Sequence, residues 1–149
     1  MSWALEEYCE DAFVSWLNSK LPANLLAVYT AWTDTEIKFP CVVVHCGKSG
    51  NVTGQFNGVR RVEVMLAVMS EAITQGSSSA RVANRTYRNA VIDALAQTNL
   101  ESDLNGLSPT GVVFSHAEVG DITRSVEEDK RIFVSEITVN CIAAPKTTA

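Results

Sequence analysis

No stretch of this chain stays apolar for the ~18 residues that a membrane span requires. Basic residues are in deficit, with 12 Lys and Arg against 17 Asp and Glu, for a formal net charge of −5. A protein that binds nucleic acid over its whole surface carries the opposite sign, so only a local basic patch is left to meet a phosphate backbone. Positive charge is missing at the start too. The segment MSWALEEYCEDAF has acids where a signal peptide has its basic region, and synthesis in a cytoplasm without export is the expectation. The four cysteines, Cys9, Cys41, Cys46 and Cys141, are irregularly spaced, and without signs of secretion they do not read as a disulfide framework. Free, mostly buried thiols are expected.

What is present suits one domain. The 149 residues are 46% hydrophobic, an ordinary globular fraction that excludes general disorder. Leu5, Cys9, Ala12, Phe13, Trp16 and Leu17 recur at helical steps from about Ser2 to Lys20, with acids at the start and Pro22 as a stop. Leu25 to Trp32 and Ile37 to Cys46 read as strands, the second through the β-branched run FPCVVVHC. GKSGNVTGQFNG then reads as a projecting loop over 47–58. Val59 to Met69 alternates, with Val62, Val64, Leu66 and Val68 facing one way and Arg61 and Glu63 the other.

A flexible connection over 70–79 leads to a second helix, about Ala80 to Gln97. Gly111 to Val119 reads as a strand, Ser125 to Lys130 as a polar hairpin, and Arg131 to Ile142 as the last strand. The expected fold class is α+β: a mostly antiparallel sheet of about five strands packed with two main helices. One domain over 1–143 and a loose tail over 144–149 are expected.

Chemistry-bearing patterns are sparse. Cys41, His45, Cys46 and His116 suggest a metal, but strand alternation puts Cys41 and Cys46 on opposite faces, and no C-x-x-C or H-x-x-x-H pair occurs. No metal site and no cofactor are expected. A cysteine nucleophile needs a partly exposed, activated thiol beside a histidine, and no cysteine follows a glycine-rich turn or opens a helix. The Gly47-Lys48-Ser49 triplet is not a phosphate loop, because it leads into more loop and then a strand instead of a helix N-terminus.

One charge arrangement stands out. Arg81, Arg85 and Arg88 fall on one side of the second helix, nearly opposite its apolar stripe, in the half where positive charge is disfavoured by about 0.3–1 kcal/mol each. No acid at i±3 or i±4 offsets them. The acidic face of the first helix, Glu6, Glu7 and Glu10, is the natural complement, within one chain or across to a neighbour. The alternative is a solvated arginine face. Between chains, two different patches would meet, and such a heterologous contact closes into a ring or extends as a filament.

Taken together, the opening amphipathic helix, FPCVVVHCG, RRVEVMLAVMSEA, RVANRTYRNAVIDALAQ and the closing RSVEEDKRIFVSEITVNCIA occur in an order that resembles the tail-terminator, or tail-completion, proteins of long-tailed bacteriophages. The resemblance spans nearly the whole chain. It implies a non-enzymatic virion protein that forms a hexameric ring at the head-proximal end of the tail, assembled in the host cytoplasm. Such a ring ends tail-tube polymerisation and meets tail tube protein on one side and a head-completion or connector protein on the other. DNA would pass through without specific binding, and no membrane is involved.

The resemblance supplies no individual site residues. Those come from the residue reading: Arg81, Arg85, Arg88, Glu6, Glu7 and Glu10 for a subunit interface, and Lys48, Asn51, Val52, Gln55, Phe56 and Asn57 for contact with the tube or neck. Two other readings stay open, a head-completion or stopper protein of the neck and a small nucleic-acid-binding module using the three arginines.

Overall fold

In the computed structural model, the residues described are 5–22, 25–30, 37–51, 59–71, 77–96, 99–107, 112–127 and 132–145. The first helix, α1 (Leu5–Lys20), precedes three strands, β1 (Ala27–Thr30), β2 (Cys41–Asn51) and β3 (Arg60–Glu71). Two helices follow, α2 (Ser77–Ala96) and α3 (Leu100–Leu107), and then β4 (Val112–Glu127) and β5 (Ile132–Pro145). The strands form one sheet in the order β1-β2-β3-β5-β4. Only the β1–β2 pair is parallel; the other three are antiparallel. The α+β class expected from sequence is the class observed.

Strand alternation sorts the sheet into two faces. Cross-strand partners such as Val44, Leu66 and Ile137 share one face, and so do Val64 and Val139. These residues join Leu5, Cys9, Phe13, Trp16 and Leu17 of α1, Val91 and Leu95 of α2, and Leu100 and Leu104 of α3 in a single buried cluster. The three helices therefore cover the same face. Phe13 centres the aromatic part of that core, edge-on to Trp16 at 6.5 Å and to Phe114 at 6.0 Å between ring centroids.

The helix stripe of α1 forms as its spacing dictates, with all six expected apolar positions fully buried. α2 starts three residues earlier than expected, so Ser77–Ser79 belong to a helix and not to a flexible connection. β2 continues past Cys46 to Asn51, because a bulge between Cys46 and Lys48 keeps it in register with β3 as far as Asn51↔Arg60. Residues 47–51 of the expected loop are therefore strand, and 52–58 lie outside the described residues.

β4 is longer than expected, running to Glu127 through segments read as a polar turn. β5 extends to Pro145, two residues into the expected tail. The third helix is new. Asn99 caps it, accepting from Ser102 N–H at its Oδ1 and from Asp103 N–H at its carbonyl. A Lys20–Asp103 ion pair at 3.1 Å joins the end of α1 to this helix.

Candidate functional site

Side chains from the helices close backbone groups at both sides of the sheet. On the β1 side, Ala27 N–H donates to Pro40 carbonyl, so alternate β2 residues Val42, Val44 and Cys46 turn their polar groups toward β1. The described β1 pairing ends at Thr30↔Val44. At the next such position, Cys46 N–H donates instead to Glu10 Oε2 of α1 at 2.8 Å. His45 Nδ1 lies 3.7 Å from the same oxygen.

On the β4 side, Asn105 of α3 both accepts the Phe114 N–H and donates to the Phe114 carbonyl. Glu101, one turn earlier on α3, accepts the Ala117 N–H at 3.4 Å. His116 sits between two carboxylates, with Nδ1 3.8 Å from Glu101 and Nε2 3.4 Å from Glu118.

Glu10 corrects the expected acidic face of α1. It is 2% exposed and belongs to the interior, because its side chain serves a backbone N–H of β2. Burial pushes its carboxyl above the usual carboxylate range, while the Cys46 N–H and His45 pull it back. Glu7 remains exposed and Glu6 is half-buried.

On α2, Arg85 is exposed and Arg88 half-buried, and neither forms an ion pair with a described carboxylate. Arg81 lies in the same helix, in its first half. Among the described residues, neither Arg85 nor Arg88 is ion-paired to Glu7 or Glu10 of α1.

Lys48 and Asn51, expected in a loop, are strand residues of β2. The other expected contact residues, Val52, Gln55, Phe56 and Asn57, lie outside the described residues.

The cysteines are free and buried, as expected. Burial raises the Cys41 thiol to about 11 and the Cys141 thiol to about 12, and Cys9 is pushed up further, with Cys46 and Cys141 adding to the effect. These three thiols stay protonated at neutral pH, the opposite of an activated nucleophile. Among the described residues, no group of three or more His, Cys, Asp or Glu side chains converges as metal ligands.

Sequence reasoning missed Glu10, Asn105 and Asn84 as structural keys. Asn84 of α2 donates to the carbonyls of Val68 and Phe133 and accepts from Ser135 Oγ at 2.7 Å, fixing α2 across β3 and β5. The available signal for Asn84 and Glu10 was their position beside apolar stripe residues, at the border of the buried face. In comparison with known proteins, no family model and no curated protein matches the chain.

Proposed function

We propose that this protein is a structural subunit of a phage virion that caps the tail tube as a ring, ends its polymerisation and forms the joint to the head. The order of sequence segments that resembles tail terminators suggests the reading. The observation that carries it is the separation of Arg85 and Arg88 from any described carboxylate partner, while Glu7 stands exposed on a different helix. Complementary patches held apart on one chain suit a head-to-tail contact between copies, the kind that closes into rings.

Light scattering after size exclusion, on the chain alone and with isolated tail tubes, tests the reading. A discrete sixfold species, alone or on tubes, is the expected result, and the double substitution Arg85→Glu with Arg88→Glu should abolish it. A strict monomer that ignores tubes would overturn the proposal. Salt-dependent binding to nucleic acid, lost on the same double substitution, would favour the binding-module reading of the arginines.

A further inference from the structure

Among the described residues, Glu10 is the only buried acid; the other buried polar side chains are Ser70, Asn84 and Ser135. An ionised carboxylate taken out of water is tolerated only when paired and hydrogen-bonded. Glu10 has the Cys46 N–H at 2.8 Å and the imidazole of His45 at 3.7 Å. The charged groups acting on it are Asp11 and Glu7 from its own helix, both repulsive, and His45 from β2, attractive when protonated.

His45 is 37% exposed at its side chain, so its ring meets solvent on one side while its Nδ1 faces the buried carboxylate on the other. Its position depends on Gly47, since a Cβ there would stand 2.9 Å from His45 Nε2 and 3.3 Å from Met65 Cε.

We propose that Glu10 and His45 form a proton-dependent clasp that fixes the first turns of α1 to β2, closed while the pair holds a proton and loosened once it is lost. With one proton the pair is either carboxylate with imidazolium or carboxyl with imidazole, and both arrangements leave no uncompensated charge inside. Loss of that proton leaves a buried carboxylate facing Asp11 and Glu7 with a neutral ring beside it. The helix end then moves out toward water, and Cys46 N–H is released.

The sign is fixed by linkage. A carboxyl raised above its unfolded value near 4.5 binds protons better in the folded state. Its contribution to stability is therefore present at low pH and is lost as pH rises through the folded value. An acid stabilised by a surface ion pair behaves in the opposite way.

Amide hydrogen exchange on the full chain between about pH 5 and about pH 8.5, corrected for intrinsic exchange, tests the clasp. In the wild type, protection of the α1 amides and of Cys46 should fall about tenfold or more as pH rises, while Leu66 and Ile137 stay constant. Glu10→Gln should give a flat profile, since the amide oxygen still accepts the Cys46 N–H without charge. His45→Gln should change the profile, because it removes the one attractive charged group acting on Glu10. Unchanged wild-type protection at Cys46, an equal loss at Leu66 and Ile137, or a His45→Gln profile identical to wild type would each overturn the proposal. Should Glu10→Gln not fold, the half-exposed His45→Gln decides alone.

Discussion

The side-chain amide of Asn105 pairs with both backbone polar groups of Phe114, donating from Nδ2 to its carbonyl at 2.9 Å and accepting its N–H at Oδ1 at 2.8 Å. One residue of α3 thus does for β4 what a neighbouring strand would do. Asn105→Ala leaves the polar groups of a residue that is 2% exposed without these partners, a loss of about 1–3 kcal/mol. Thermal unfolding should show a drop of roughly 2–10 °C. Asn105→Asp keeps the acceptor but sets an oxygen against the Phe114 carbonyl, so it should recover only part of the loss.

A second amide, Asn84, should be costlier to remove. It makes three hydrogen bonds in the buried seam between α2, β3 and β5. Asn84→Ala should destabilise by about 2–4 kcal/mol, and Ser135→Ala by about 1 kcal/mol. The double variant should lose less than the sum, with a coupling of about 0.5–2 kcal/mol in denaturant titrations. Strict additivity would mean that the Ser135–Asn84 contact contributes nothing.

The thiols should be silent in the native state. At pH 7.5, alkylation of Cys9, Cys41 and Cys141 should proceed only through unfolding, at least about 100-fold slower than in denaturant, because each is buried and held protonated. Mass spectrometry after timed labelling reads this directly. One fast native thiol among the three would restore the nucleophile reading.

Phe13 should be the most sensitive core position tested by truncation. It is fully buried and contacts Trp16 and Phe114 edge-on, linking α1 to the start of β4. Phe13→Ala should lower stability by about 3–5 kcal/mol, and Phe13→Leu by less, since it preserves most of the volume. Urea unfolding of both variants measures the difference.

The elements legible in the sequence were those whose burial follows from local period. The α1 stripe and the Val62-to-Val68 alternation state which side faces inward, and the protein obeys them. α3 was hidden because, among its described side chains, only Leu100 and Leu104 are buried, too few to set a helical period. The far half of β4 went unread as strand, with a polar hairpin expected from Ser125, because its side chains from Asp121 to Arg124 are exposed along an outer strand and carry no buried alternation. Glu10 was misread for a different reason. Its partner is a backbone N–H 36 residues away, and no periodicity within a helix can announce a hydrogen bond made to another element.

The placement of β5 between β3 and β4 also constrains how the chain acquires its shape during synthesis. β3 pairs residue for residue with β5, from Glu71↔Ile132 to Arg60↔Ala143. Even the nearer of these partners emerges 61 residues after β3 is complete (132 − 71). At roughly 5–20 residues per second, that interval lasts about 3–12 s. Throughout it, one side of the strand that carries Val62, Val64, Leu66 and Val68 waits without its native neighbour, so the nascent chain spends its most aggregation-prone moments just before the ribosome delivers the strand that completes the centre of the sheet.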